Sequence, residues 1–566
     1  MATSQNPKRK RRLLIFGGSF IVLALIFYFG AEPFVENLIA REVQKQLNSN
    51  PSRHYDLKTG KIKIRFLSGN IWVDDLTLTP SDSAWQLWNN GSIKSLFDLH
   101  LNGIKIRGLK ALRFLRDKNM EIKLIKASDI HLDIYSNPDW KGAEEQKKLK
   151  LADIFTDEFI GANIDKFEIE NFAVNRYLYA DTGKPALSLD SLYLSFIAVK
   201  IDSQTIKKVL PLQFENLKIN SSDFLVNTSR FYKIATRDIA FNLTDSTFIV
   251  DGFQLIPRYS KYDFSDQIKY NTDWFNIGSE RIEFQNIHLS ELVQGKVIHL
   301  EAIHIHQPVI EIFRDKTLPE SPYKQKPLVA TMLRKIPMDV MIDSLIISEG
   351  KLVYEETPKD RKESGKLFFE PFTLKASNFT NMDSVIAQNN SANIKFESMI
   401  MGKTMFSANI TADLSRTDDY FEVEGKLDRM PATVLNPLVE NLLLVSVVSG
   451  DIKKTQFYFY ANNDNSSGEV FLEYENLKIE ILQTDDKSKQ RVAQSFVANN
   501  LIRNDNLSSD RKYLVGQINF ERDKNKGMPN YIWKSIQSGI VSVIAPVASK
   551  DSKAEKRKGK KSKNNH

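Results

Sequence analysis

The sequence predicts a mainly β protein with a few helices. An N-terminal transmembrane helix is followed by an elongated, tandemly duplicated amphipathic β-sheet that forms a U-shaped groove. Three observations lead to this fold class: a long apolar stretch near the N-terminus, apolar residues that alternate with polar ones at period two, and an internal repeat. Each is taken in turn below.

The apolar stretch at residues 13–30 contains 18 uncharged, mostly apolar positions. At about 1.5 Å per residue it reaches roughly 27 Å, close to the thickness of a bilayer's hydrocarbon core. Five basic residues at 8–12 precede it, which predicts a single-pass membrane protein with a cytoplasmic N-terminus (1–12). In a bacterium with two membranes this is the inner membrane, and most of the chain lies in the periplasm. Helical spacing of apolar residues continues through 31–50 and predicts a stalk.

The repeat relates residues 53–80 to residues 230–257 without a gap, with eight identities among 28 aligned positions. The similarity continues at an offset of 178 residues, where Leu132-Asp133-Ile134-Tyr135 matches Ile310-Glu311-Ile312-Phe313. Duplicated strand-rich segments indicate a stacked, extended architecture. We therefore predict one β repeat at 51–229, a second at 230–410 and a C-terminal β region with a helix at 411–528.

The period-two segments predict strands with one apolar face, as in Lys61-Ile62-Lys63-Ile64-Arg65-Phe66 and Ile303-His304-Ile305-His306. Such faces need a cover: either the sheet closes on itself as a core, or the trough stays partly open and holds an apolar ligand. For the open case we predict a lipid-binding face lined by Ile62, Ile64, Phe66, Ile104, Ile106, Ile130, Leu132, Ile134, Phe167, Ile169, Ile282, Phe284, Ile303 and Ile305.

Helical spacing predicts helices at 149–160, at 326–336, from Pro437 to about Val448, and at 529–548. For the third, Asn436 is the expected N-cap, and Gly450 follows its end before a strand from Thr455 to Tyr460. The helix at 529–548 carries charged and polar residues among its apolar ones, so we expect a packed or interfacial helix. The basic tail at 549–566 is predicted to be disordered.

Charge and composition exclude several classes of function. The formal net charge is +8, but residues 8–12 contribute +5 and the C-terminal tail contributes +6, which leaves the body slightly acidic. Nucleic-acid binding is therefore not expected. The chain contains no Cys, so neither disulfides nor thiol chemistry contribute.

The basic residues at the C-terminus predict contact with anionic lipid headgroups. The alternative is that this segment only increases the solubility of the protein. The residues proposed for this contact are Trp533, Lys556, Arg557, Lys558, Lys560, Lys561 and Lys563.

The sequence gives no motif for catalysis or for cofactor binding, so we predict no enzyme, no cofactor and no catalytic residue. The one histidine-rich stretch contains His299, Glu301, His304 and His306. An exposed polar strand face explains this stretch, and no fourth ligand is apparent, so we predict no metal site.

Three segments carry a resemblance to a known family. They are the anchor with its basic flank, the segment LADIFTDEFIGANIDKFEIENFAV at 151–174 with its counterpart at 328–354, and the C-terminal stretch that begins GKLDRMPATVLNPLVENLL. Together they resemble the AsmA-like family, the AsmA/TamB-like inner-membrane-anchored envelope proteins. This resemblance implies a role in outer-membrane biogenesis or in phospholipid transport between membranes along a hydrophobic groove, with phospholipid or another envelope lipid as ligand and an outer-membrane or envelope protein as a further partner. The alternative is a membrane-tethered scaffold or adaptor with a closed β core that binds protein partners.

Overall fold

The computed structural model describes residues 55–546 except 66–67, 138–139, 141–159, 180–181, 206–211, 289–290, 292–296, 360–362, 444 and 483–501. Strands account for 59% of these residues and helices for 14%, which confirms a mainly β protein. The chain divides into two compact units, the N-terminal unit (Met1–Asp251) and the C-terminal unit (Gly252–His566).

The predicted anchor at 13–30, its flanks at 1–12 and 31–50, and the tail at 549–566 lie outside the described residues. So does the helix predicted at 149–160, except for Ile160, which is not helical. Among the residues that are described, no helix has the length and apolar character needed to cross a bilayer.

The N-terminal unit consists of strands that alternate apolar and polar side chains. They are β1 (Tyr55–Thr59), β2 (Ile62–Arg65), β3 (Asn70–Val73), β4 (Leu76–Pro80), β5 (Ser95–Arg107), β6 (Asn119–Ser136), β7 (Gly161–Leu178), β8 (Leu187–Asp202), β9 (Asn216–Val226) and β10 (Tyr232–Asn242). β6 and β7 pair in parallel, whereas β5–β6, β7–β8, β8–β9 and β9–β10 are antiparallel. Two helices interrupt the strands, α1 (Asp82–Asn89) and α2 (Ala111–Asp117).

The next strand, β11 (Thr247–Pro257), contains the division between the units. The strands of the C-terminal unit are β12 (Trp274–Ile287), β13 (Val297–His306), β14 (Val309–Asp315), β15 (Asp339–Thr357), β16 (Gly365–Thr380), β17 (Ser391–Ile400), β18 (Thr404–Asp413), β19 (Phe421–Leu427), β20 (Met430–Pro431), β21 (Val445–Ala461), β22 (Asn465–Ile481) and β23 (Gly516–Glu521). β13 and β14 both pair with β15 in parallel; from β15 to β19 and from β21 to β23, successive strands are antiparallel.

The helices of the C-terminal unit are α3 (Lys261–Asp266), α4 (Val329–Arg334), α5 (Asp383–Ile386), α6 (Asn436–Leu443) and α7 (Met528–Ile544). α4 lies within the helix predicted at 326–336, and α7 corresponds to the helix predicted at 529–548.

The two units repeat the same succession of elements at an offset of 178 residues. β8 at 187–202 becomes β16 at 365–380, and the parallel pair β6–β7 becomes β13 and β14 beside β15. Left-handed residues recur at the same offset, with Asp129 and Asn171 matched by Gln307 and Glu349. The Asn171 amide donates to Asp129 Oδ1 (2.9 Å), and the Gln307 amide donates to Glu349 Oε2 (2.7 Å). The same cross-strand bond is made with the donor and acceptor positions exchanged.

The helix predicted from Pro437 to Val448 is shorter than expected, and its N-cap was assigned wrongly. α6 ends at Leu443, and β21 begins at Val445 because Val445 and Val447 pair with β22. Asn436 has helical backbone angles, and its side chain bonds both backbone groups of Val447, accepting at 2.8 Å and donating at 3.0 Å. Gly450 lies inside β21 rather than after a helix.

Candidate functional site

The register of the N-terminal unit aligns apolar residues into two continuous rows. The Ile106 row contains Ile64, Ile71, Ile106, Ile125, Phe167, Phe196 and Leu217. The Ile104 row contains Ile62, Val73, Ile104, Ala127, Ile169, Leu194, Ile219 and Phe241. Because side chains two residues apart on a strand project to the same face, the two rows form one apolar face.

The opposite face of the same strands is polar. Its register row contains Lys63, Trp72, Lys105, Lys126, Glu168, Ser195 and Lys218. Lys126 Nζ forms an ion pair with Glu170 at 2.6 Å, and Lys63 and Lys105 are exposed. The sheet of this unit therefore has one apolar side and one solvated side.

The predicted face residues of the N-terminal unit differ in burial. Ile64 and Ile130 are buried, each 8% exposed. The half-buried ones are Ile62, Ile104, Ile106, Leu132, Ile134, Phe167 and Ile169. Ile130 and Leu132 lie beyond the left-handed Asp129, in further apolar rows, where they pair with Leu101 and Leu99. Ile134 pairs with Phe97 and Arg176. Phe66 lies outside the described residues.

The C-terminal unit carries two longer rows. The Ile305 row contains Ile282, Ile305, Ile347, Leu374, Phe396, Ala408, Gly425, Phe457, Val470 and Gly516. The Ile303 row contains Phe284, Ile303, Leu345, Ala376, Ile394, Ile410, Val423, Phe459, Gly468 and Ile518. The four face residues predicted for this unit, Ile282, Phe284, Ile303 and Ile305, all lie at the β12–β13 end of these rows and are half-buried.

Burial changes along the Ile303 row. Phe284, Ile303 and Leu345 are half-buried, whereas Val423 and Phe459 are completely buried. The same face is therefore accessible at its β12–β15 end, within the described residues, and closed at its β19–β23 end.

Helix α7 closes the β22–β23 end of this face. Its Tyr531, Ile536 and Val543 belong to one buried cluster with Val470 and Ile518. Gly539 permits the close approach, because a Cβ at this position would lie 2.4 Å from Val470 Cγ2 and 2.9 Å from Ile518 Cγ1.

The segment between β14 and β15 also closes this end. Asp419, which is 6% exposed, accepts hydrogen bonds from the backbone N and Oγ1 of Thr331 in α4, both at 2.7 Å. The buried Leu328, Val329 and Leu333 of this segment pack in the same cluster as α7. The two helices thus form a buried core with β18–β23.

A polar cluster in the C-terminal unit surrounds the buried Glu356. Arg314 donates two 2.6 Å hydrogen bonds to Asp273. Tyr354 donates to Glu356 at 2.5 Å, and Glu356 also forms an ion pair with Lys316 at 2.7 Å. Burial, together with the Glu356 carboxylate, raises the pKa of Tyr354. These groups satisfy one another, so we interpret the cluster as structural.

Trp533, proposed for membrane contact, lies on α7 with 45% of its surface exposed. The neighbouring Lys534 donates to Gln537 at 2.8 Å, and burial, reinforced by the nearby Lys316, lowers the pKa of its ammonium group. The other proposed contact residues, Lys556 to Lys563, lie outside the described residues.

The histidine-rich stretch is divided in the structure. The rings of His304 and His306 stack at 6.3 Å, and Glu301 accepts a hydrogen bond from Asn286. His299 instead stacks on His288 at 3.8 Å. Sequence reasoning missed His288 because it belongs to the preceding strand end; the available signal was the spacing His288-x-x-Glu291.

No protein-family model and no curated protein sequence matches this chain. The resemblance to the AsmA-like family therefore remains a prediction.

Proposed function

We propose that this protein is a non-enzymatic cell-envelope protein of the AsmA-like type that binds lipid acyl chains on the apolar face of its amphipathic β-sheet. It is anchored in the bacterial inner membrane by residues 13–30. By holding phospholipid or another envelope lipid, it supports outer-membrane biogenesis or lipid transport between membranes.

The observation that carries this proposal is the run of apolar side chains along the Ile106 and Ile104 rows, most of which are half-buried. Burying apolar surface is worth about 25 cal/mol per Å². Continuous apolar patches on soluble proteins commonly mark binding sites. A row of Ile, Leu and Phe at the strand spacing of about 4.8 Å offers an acyl chain an uninterrupted apolar track.

The chemistry of the rows also supports a lipid rather than a polar small molecule. Both rows contain only apolar side chains across seven and eight strands, and the polar residues project from the opposite face. Two rows without hydrogen-bonding side chains select for apolar length and not for a headgroup. We therefore expect broad selectivity among acyl lipids.

The alternative is a tethered scaffold with a closed β core. The buried core formed by α4, α7 and β18–β23 favours it, because this part of the C-terminal unit fills its own apolar face. Under the lipid proposal, this closed part is where the accessible face ends.

Site-specific photocrosslinking in cells tests the lipid proposal. The photoreactive residue p-benzoylphenylalanine replaces Ile106 in one variant of the whole chain and Lys105 in another, and phospholipids are labelled with radioactive phosphate. Because neighbouring strand residues project to opposite faces, lipid at the apolar face predicts a labelled adduct at position 106 and none at position 105.

Charge substitutions give a second readout. Ile106→Glu is expected to abolish the adduct of a probe placed at Phe167, whereas Lys105→Glu is expected to retain it. Ile64→Glu and its neighbour Lys63→Glu form a second matched pair, although Ile64 is buried and its loss also affects folding. Equal labelling on both faces, or no labelling at position 106 in a folded chain, would favour the scaffold.

A further inference from the structure

His288, Glu291 and His299 come together at the β12–β13 connection of the C-terminal unit. One ligand atom from each lies within 4.8 Å of the others. The two imidazole rings stack at 3.8 Å with 16° between their planes, and His299 Nδ1 lies 3.8 Å from Glu291 Oε2. The three side chains therefore converge on one point at the protein surface.

The three equivalent positions of the N-terminal unit form a salt bridge. At the offset of 178 residues they are Lys110, Arg113 and Glu121. Lys110 Nζ and Arg113 Nη1 each approach Glu121 Oε2 at 2.7 Å. This triad ties α2 and its N-terminal flank to β6.

One backbone hydrogen bond is shared by the two places. Lys110 N donates to Glu121 O at 3.0 Å, and His288 N donates to His299 O at 3.2 Å. The side-chain chemistry differs: two cations around a carboxylate have become two imidazoles and a carboxylate. The second set contains acceptor atoms where the first supplied positive charge.

We propose that His288, Glu291 and His299 bind a divalent transition metal ion of the zinc class, which supplies the positive charge that Lys110 and Arg113 supply in the N-terminal unit. Two imidazoles and one carboxylate are a ligand set that zinc uses in proteins, with water in the fourth position. Imidazole ligands favour Zn²⁺, Co²⁺, Ni²⁺ and Cu²⁺ over the oxygen-preferring Mg²⁺ and Ca²⁺.

Asp343 supports the same arrangement from the next strand. Its Oδ2 lies 4.0 Å from His299 Nε2, whereas Glu291 faces the other ring nitrogen, Nδ1. Metal-bound histidines commonly donate their second N–H to a carboxylate, which fixes the tautomer and orients the ring. Asp343 is therefore assigned as a positioning residue that would orient the His299 ring from β15, while the metal would join the β12–β13 connection to β13.

Cobalt absorption spectroscopy tests the proposal on the whole chain, prepared without a polyhistidine tag. Titration with Co²⁺ is expected to give the visible absorption of a low-coordinate cobalt site, which Zn²⁺ then displaces. His299→Ala and Glu291→Gln should remove the band. Asp343→Asn should retain it while weakening affinity by about 10- to 100-fold.

Two controls separate the site from adventitious binding and from misfolding. His304→Ala combined with His306→Ala removes the other neighbouring histidine pair and should leave the band unchanged. The triple variant His288→Lys, Glu291→Arg and His299→Glu installs the salt bridge of the N-terminal unit. It should retain the wild-type circular dichroism spectrum and give no band.

Either of two results would overturn the proposal. One is a wild-type chain that gives no band with excess Co²⁺. The other is a band that persists in the triple variant or disappears in the His304/His306 control, because the metal would then bind elsewhere. Neither result bears on lipid binding, since the lipid experiment uses positions in the N-terminal unit.

Discussion

Truncating two isoleucines of the same register row should have very different costs. Ile303 on β13 is half-buried, whereas Ile518 on β23 is 2% exposed beneath α7. Ile→Ala removes three carbon atoms, worth about 0.8 kcal/mol each when buried. At position 518 an enclosed cavity adds to this loss, so we expect about 3 to 4 kcal/mol. At position 303 we expect about 1 kcal/mol, because part of the side chain already contacts solvent and no enclosed cavity remains.

Hydrogen exchange at increasing urea concentration measures these costs locally, which matters because a chain with two units need not unfold in one step. The amides of β13 and β23 are followed by mass spectrometry in the lipid-free whole chain. A difference of about 2 kcal/mol corresponds to about 30-fold in the local opening constant. A loss of about 3 kcal/mol for Ile303→Ala as well would mean that the face is closed over β13, and the accessible β12–β15 end described for the C-terminal unit would be refuted.

Two further predictions concern packing and pH. Gly539→Val should lower the free energy of unfolding of the C-terminal unit by about 1 to 3 kcal/mol, because even a Cβ at this position overlaps Val470 and Ile518 of the strands beneath. Thermal unfolding measures this loss. As a control on the same helix, Trp533→Ala should be nearly neutral because Trp533 is exposed. Burial raises the pKa of Glu168, but hydrogen bonds from Lys166 and Tyr193 outweigh it, and the pKa is lowered from 4.5. A lowered carboxyl pKa contributes stability above about pH 4.5 that is lost as the pH falls through the folded-state value. Glu168→Gln should therefore cost about 1 to 2 kcal/mol at pH 7 and progressively less below pH 4.5, and an equal cost at both pH values would contradict the assignment.

The strand content and the apolar faces were predictable from period two alone. Ile62 and Ile64 alternate with Lys61 and Lys63, and this alternation is local information that survives any choice of strand partner. The partners themselves were not predictable in this way. Ile106 meets Ile71 and Ile125 only because of the register, which depends on turns and crossovers that alternation does not encode.

The sequence also could not say which part of the face is open. The β13 segment with Ile303 and the β23 segment with Ile518 both alternate apolar and polar residues. Their difference comes from α4 and α7, which pack over β18–β23 through contacts between residues distant along the chain, such as Thr331 with Asp419. The predicted length of α6 was wrong for a related reason: Val445 and Val447, which are two residues apart, pair with β22 as part of a strand.

The duplication itself gives the most direct guide to specialised positions. At Asp129–Asn171 and Gln307–Glu349 both units keep the same side-chain hydrogen bond between two strands, with donor and acceptor exchanged. We interpret this interaction as structural because the exchange leaves the bond intact. At His299, by contrast, the backbone hydrogen bond is kept and the charge complementarity is lost. Two imidazoles and a carboxylate stand where the N-terminal unit has two cations and a carboxylate, and this is why the metal is proposed in the C-terminal unit and not in the N-terminal one.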